Sequence, residues 1–543
     1  MKEGFLEKKM VWMGALFFIL MLQVLTAVYF CNKKSGFHYD EYYSYYSTNK
    51  TYGLVPGDRA WKDTKEILSE FMVREGEGWR FGLVKEMQGF DVHPPFYYYV
   101  LHGVCSLFPG SFSKWSGLGI NLVLFIISYF LLAAIGSRVF SDNKRMTLLL
   151  CLLYGFQPGV LSGITFIRMY MLLTVWCMAV TLWHAEFWKR GLRLTKGKAA
   201  VLFLLVFLGF LTHYYFLVFL FFLCAFTCLA EWWGRKNLKG SILYGVVVCA
   251  AIMAGIAYYP ASLRHIFRGY RGTEAAGAFF DLKNTGMRLG FFADLMNDSV
   301  FGGSLELLLI LLILLAITFF YWKKKQAGEQ RKGLADLAVP HVLWVTMGYF
   351  FVVAKTALLN AEEANRYELP VYGFCMLLLL AALYYLLKAL SKVLTAGENK
   401  KTWLPEKMGI IVAGMGCVIL GFQLYALSQG RVQFLYEQDK ENVAFAAENK
   451  EKAVVFGYNP INEWMIWDES EELMQYEKIY FVNLRNEAPV EDEILQQAEK
   501  IYVYISRMDE GQLLMEELLE KNPKLSTKKK VRELLYCDLY VLE

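Results

Sequence analysis

From Val11 to Leu427 the chain repeats apolar runs, most of them roughly 17 to 22 residues long. Rising 1.5 Å per residue as helices, such runs match a hydrocarbon core of about 30 Å. Inside lipid the backbone amides find no water, so each run must satisfy them internally and is expected to be helical. The runs lie near 11–31, 117–137, 146–162, 169–187, 199–212, 215–233, 241–259, 303–322, 338–357, 370–387 and 409–428. The expected fold class is an all-α polytopic membrane protein of about eleven transmembrane helices, with juxtamembrane helices in the first outer loop and a small C-terminal α/β domain. The expected division is a transmembrane domain over 1–430, including a first outer loop at 32–116, and a soluble domain over 431–543.

Charge sets the orientation. Lys and Arg resist translocation and collect in short cytoplasmic loops. Every second connection is basic, from Lys8/Lys9 through Arg138/Lys144/Arg145, Lys189/Arg190/Arg193/Lys196/Lys198, Arg235/Lys236/Lys239 and Lys323–Lys325/Arg331/Lys332 to Lys388/Lys392/Lys400/Lys401/Lys407. The N-terminus is therefore expected inside and the tail outside, in a multi-pass cell-membrane protein. The stretch Pro94–Phe108 reaches only about 20 Å as a helix and carries Tyr97–Tyr99, so it reads as a juxtamembrane helix. The first run is long for a signal peptide and lacks a small-residue cleavage site, so a retained anchor is expected. The ten cysteines are scattered without metal-type spacing and read as packing residues.

The first outer loop balances ten basic against ten acidic residues. Trp61, Leu68, Phe71 and Met72, then Trp79, Leu83, Met87 and Phe90, recur at helical spacing, which predicts two amphipathic surface helices, with a small soluble insertion as the alternative. The second outer loop, 260–302, carries an unusual basic cluster that includes Arg264 and His265. The tail holds 24 acidic and 14 basic residues. Its β-rich runs at 453–458, 478–483, 500–506 and 533–542 alternate with helical patterns at 491–499 and 509–521, which suggests a small α/β domain without a phosphate loop.

On this topology the unusual polar residues share the outer side: Asp40, Glu41, Asp91 and His93; Arg168 and Tyr170; His213 and Tyr214; Arg264 and His265; Lys355; Arg366 and Tyr367. Singly, each has an ordinary explanation, such as an arginine snorkelling to the interface or a histidine satisfied by a hydrogen bond. Jointly, ionisable groups that share a depth and a side point to a site. Transfer from a phosphate-activated sugar needs a carboxylate to deprotonate an acceptor hydroxyl and cations to neutralise the departing phosphate. With no nucleotide loop, the donor is expected to be membrane-borne.

These pieces carry a resemblance: Asp40-Glu41, DVHPPFYYY (91–99), QPGVLSGITFIRMYMLL (157–173), LTHYYFLVF (211–219) and NRYELPVYGF (365–374). Over about residues 11–390 the chain resembles the GT-C superfamily of polyprenyl-phosphate-sugar-dependent glycosyltransferases. Within it, the likeness is to family 39 and its bacterial relatives, which include protein mannosyltransferases and lipid A aminoarabinose transferases. The resemblance implies that Asp40 is the catalytic base with Glu41 beside it. Arg168 and Arg366, supported by Arg264 and Lys355, would contact the lipid-linked phosphate. Asp91, His93, Tyr170, His213, Tyr214, His265 and Tyr367 would line the substrate pocket. The resemblance fixes no cofactor and leaves a divalent metal ion open: some relatives bind one near the first loop, for which Asp40, Glu41, Asp91 and His265 could supply oxygen and imidazole ligands here. The implied partners are a polyprenyl-phosphate sugar, an extracytoplasmic acceptor and membrane lipid, with no nucleic acid. Two alternatives stay open: a transporter or flippase, against which no internal repeat or midplane charge is visible, and a catalytically silent relative.

Overall fold

The computed structural model describes residues 2–50, 57–141, 143–325, 337–395, 404–461, 465–507 and 511–543. The basic residues Arg331, Lys332, Lys400 and Lys401 lie outside the described residues. Two compact units emerge: one of Met1–Cys31, Gly89–Tyr97 and Leu118–Gln433, the other of Asn32–Gln88, Tyr98–Gly117 and Phe434–Glu543. Most of the first outer loop thus packs with the tail, whereas the sequence division assigns it to the transmembrane domain.

All eleven apolar runs are helical. Among the described residues seven helices are long and apolar enough to cross a membrane: Met10–Lys33, Lys114–Val139, Tyr215–Gly234, Leu238–Tyr258, Ala338–Thr356, Leu369–Val393 and Met408–Ser428. Two more runs belong to bent pairs, Lys144–Tyr154 with Pro158–Thr165 at 55° and Leu282–Phe301 with Leu305–Tyr321 at 88°. The remaining two form the shorter helices Tyr170–Ala185 and Lys196–Phe210. The sharp bend rests on Gly302, whose φ of +64° is open to glycine and whose absent Cβ would stand 2.6 Å from the Phe422 backbone. The stretch after Pro94 forms a helix only over Phe96–Ser106, about 16 Å, too short to cross.

The second unit is built on a six-stranded sheet of β1 (Ala60–Asp63), β2 (Ala453–Tyr458), β3 (Lys478–Asn483), β4 (Ile501–Ser506), β5 (Lys528–Glu533) and β6 (Cys537–Leu542), in the order β1-β3-β2-β4-β6-β5. The three central strands run parallel, with Val455 opposite Tyr480 and Val503. Every residue of β4 is buried, as expected for a strand covered on both faces. The edge strand β5 presents Lys528, Lys529 and Lys530 to solvent, which discourages pairing with another chain.

One sequence expectation is corrected here. Trp61 does not lie on an amphipathic helix. It sits on β1, which pairs antiparallel with β3 and places the indole edge-on to Tyr480 at 5.2 Å. Downstream, Ile67 and Phe71 are fully buried and Val84 and Met87 are buried. The second stretch does follow its spacing, since Leu83, Met87 and Phe90 lie on the helix Phe81–Phe90, with Trp79 and Phe90 exposed; helical spacing marks an apolar stripe without saying whether lipid or a sheet covers it.

Candidate functional site

In the first unit the chain breaks its helix at Phe166–Met169, between Pro158–Thr165 and Tyr170–Ala185. The freed carbonyls do not stay bare. Asn121, a polar residue within the span Lys114–Val139, donates to the carbonyls of Ile164 (3.1 Å) and Phe166 (2.7 Å). Close approach of neighbouring helices completes the corner, because a Cβ on Gly163 would stand 2.4 Å from Leu369. The break holds Arg168, 3% exposed, at the edge of the span.

Arg168 Nη2 lies 3.5 Å from His93 Nδ1, and the same imidazole nitrogen donates to Asp91 Oδ2 at 2.9 Å. Burial pushes the Asp91 carboxyl up, but His93, their hydrogen bond and Arg168 outweigh it and hold the group below the ordinary carboxylate value. The His93 ring is 5.8 Å from His213, and His213 is 5.6 Å from Tyr170. Burial drives His213 well below its usual pKa, with His93 and Arg168 adding to the effect, so it is neutral at pH 7. Its Nδ1 accepts from the Tyr215 amide, which leaves the proton on Nε2.

Aromatic rings connect this corner to the second arginine. Tyr170 stacks on Phe166 and meets Tyr367 edge-on at 5.7 Å. The Arg366 guanidinium lies 5.1 Å from the ring centres of both Phe166 and Tyr367. Arg366 donates to Tyr367 Oη at 3.4 Å and stands 3.8 Å from Glu363. Below the DVH turn, Tyr214 Oη meets His265 Nδ1 at 3.0 Å, while Arg264 and His265 both reach the Gly89 carbonyl. Sequence neighbours 89–93, 166–170, 213–215, 264–265 and 366–367 thus form one contiguous polar and aromatic assembly.

Lys355 has a different setting. The residue is 1% exposed, and its ammonium donates to Asp281 O, Asn284 Oδ1 and Thr285 Oγ1 at 2.6, 2.5 and 3.0 Å, so its three hydrogens anchor the second outer loop.

In the second unit Asp40 and Glu41 open the helix Tyr39–Asn49 with opposite environments. Glu41 completes a capping box: its Oε2 accepts from the His38 amide at 2.7 Å and pairs with Lys34 at 2.8 Å, both side chains 0% exposed. Lys34 also donates to Phe434 O. The Asp40 side chain is 25% exposed, with Oδ2 3.7 Å from His38 Nδ1. That nitrogen accepts from the Asp40 amide.

The metal expectation does not fit the residues present. Among the described residues no group of three or more His, Cys, Asp or Glu could hold an ion. Glu41 is engaged by Lys34, Asp91 by His93, and both His265 nitrogens by Tyr214 and Gly89.

Sequence reading missed Asn121, Phe166, Tyr215 and Lys34. A polar residue inside an apolar run was the available signal for Asn121. Phe166 and Tyr215 carried none, being aromatics among aromatics.

No family model and no curated protein sequence matches the chain. Solved structures do. ArnT from Cupriavidus metallidurans bound to undecaprenyl phosphate aligns with a TM-score of 0.52 at 12% identity, over 97% of this chain and 98% of that one. The chain has the GT-C fold. The zinc and sulfate complex of the Archaeoglobus fulgidus oligosaccharyltransferase aligns at 0.45, with 13% identity over 90% and 68% of the two chains. The GT-C fold accords with the apolar helices, and the protein is a multi-pass membrane protein.

Proposed function

We propose that this protein is an integral-membrane glycosyltransferase that moves a monosaccharide from a polyprenyl-phosphate donor to an extracytoplasmic acceptor. The observation that carries the reading is the corner where Arg168 meets the Asp91–His93 pair and an aromatic wall leads to Arg366. A guanidinium stays charged at any working pH, and two of them at the edge of apolar helices suit a phosphate whose tail remains among the spans. The undecaprenyl phosphate bound in the ArnT structure has that chemistry.

Asp40 is assigned the role of general base. It takes the proton of the acceptor hydroxyl as that oxygen attacks the anomeric carbon, and the anomeric C–O bond breaks with its electron pair leaving on the polyprenyl phosphate. The single displacement inverts the anomeric centre. Arg168 and Arg366 neutralise the departing phosphate. Neutral His213, whose Nδ1 accepts from the Tyr215 amide, offers its Nε2–H to the bound donor without adding a charge. Glu41 shapes the helix end that presents Asp40. The N-terminus is cytoplasmic and the tail extracytoplasmic in this reading.

The test is incubation of the purified, reconstituted protein with a panel of polyprenyl-phosphate sugars and a mixed acceptor extract, with released polyprenyl phosphate read by mass spectrometry. Release from at least one donor, lost in Asp40→Asn, is expected. Donor binding without release from any member of the panel would overturn the catalytic reading.

A further inference from the structure

At the end of the first unit that carries the basic loops, residues 137–141, 185–193 and 198 surround a cleft of about 780 Å³. Five cations line it, Arg138, Lys189, Arg190, Arg193 and Lys198, against the single carboxylate of Glu186. Glu186 pairs with Lys198 at 2.8 Å. Four positive charges remain in excess. The apolar part of its lining is Ala185, Phe187 and Trp188, all buried.

Topology alone explains basic loops, but it does not require three separate segments to converge on one hollow. The loop is also braced from behind. Arg235 donates to the carbonyls of Phe187 (3.0 Å) and Trp188 (2.6 Å) while paired with the buried Glu231. Asn237 donates to the Leu192 carbonyl at 3.1 Å. Gly191, at a φ of +77°, makes the turn. The cleft is therefore a formed feature of the backbone.

Its depth decides what it would take. Arg138 ends the helix Lys114–Val139, Ala185 ends Tyr170–Ala185, and Lys198 lies in the first turn of Lys196–Phe210. Trp232 and Trp233, both exposed, close a neighbouring helix in the manner of an interfacial aromatic belt. A hollow at the headgroup level that is lined by exposed and half-buried cations and by buried apolar side chains matches a phosphodiester joined to a glycerol backbone. Its volume lies within the usual range for ligand pockets. We propose that this cleft binds the headgroup of an anionic phospholipid from the leaflet facing the basic loops, at a site separate from the donor phosphate corner.

The full-length protein, delipidated in detergent, is titrated by native mass spectrometry with phosphatidylglycerol, phosphatidylcholine and inorganic pyrophosphate. Phosphatidylglycerol adducts should exceed phosphatidylcholine adducts at least fivefold. That preference should vanish in Arg138→Gln/Arg190→Gln/Arg193→Gln and persist within twofold in Arg145→Gln/Lys236→Gln/Lys239→Gln, which removes equal charge outside the cleft. Equal loss in both triples, or no lipid preference in the wild type, would overturn the proposal. Pyrophosphate binding as tightly as the lipid and displacing it would also overturn it, by identifying a soluble phosphate ligand. If the cleft triple fails to insert, the wild type in vesicles containing photoactivatable phosphatidylglycerol gives the same decision: crosslinks should map to 185–198, and crosslinks confined elsewhere sink the idea.

Discussion

Lys34 and Glu41 form an ion pair of 2.8 Å with neither side chain exposed to solvent, and Glu41 closes the capping box of the helix that carries Asp40. Removing one partner of a buried pair leaves a charge stranded at a cost of about 3–5 kcal/mol. Lys34→Met and Glu41→Gln should therefore lower the thermal midpoint of the detergent-solubilised protein by several degrees. Replacing the pair together, as Lys34→Met/Glu41→Leu, should recover part of that loss, because no lone charge remains buried. A double variant no more stable than the worse single one would contradict the pairing account.

Asp40 gives the opposite expectation. Its partly exposed carboxylate takes no part in the capping box, so Asp40→Asn should leave the thermal midpoint close to wild type. Loss of a general base costs about 10²–10⁴ in rate. Turnover should fall by that factor while donor binding is retained. Wild-type turnover in Asp40→Asn would remove the assignment, leaving Asp91 as the next carboxylate to examine.

Arg168→Lys and Arg366→Lys address the phosphate. Lysine retains the charge but not the planar fork. Each change should weaken donor use by about tenfold or more, equivalent to a charge-assisted hydrogen bond of roughly 1.5–3 kcal/mol. Sub-multiplicative loss in the double variant would indicate one shared phosphate. Full activity of both lysine variants, measured with the polyprenyl-phosphate donor that the panel identifies, would exclude them from the site.

The tail should be more stable in mild acid than at neutral pH. Burial raises Glu471 and Glu472 to about 7 and Asp439 to about 6. An acid with a raised native pKa binds more protons folded than unfolded, so stability declines as pH climbs from about 4 to about 7. Each carboxyl contributes on the order of 1 kcal/mol after allowance for partial solvation. The thermal midpoint of the second unit should fall between pH 5 and pH 8, and Glu471→Gln should flatten that slope. A midpoint that rises over this interval would refute the assignment.

The eleven helical runs were legible because lipid forces backbone amides to pair within their own segment, which leaves length and hydropathy as sufficient signals. Local pattern also located β2, β3, β4 and β6, and short motifs pointed to Asp91, His93, Arg168, His213 and Arg366. What the sequence left open is which surface covers an apolar stripe and which partner satisfies a polar group. Trp61 had helical spacing, yet its strand is defined by hydrogen bonds to β3, more than 400 residues away in the chain. Asp40 and Glu41 are adjacent carboxylates in sequence. Only long-range packing, with Lys34 held between Glu41 and the Phe434 carbonyl, gives one a structural task and leaves the other partly open to solvent. Periodicity reports on neighbours along the chain, whereas burial and pairing are decided by residues that folding alone brings close.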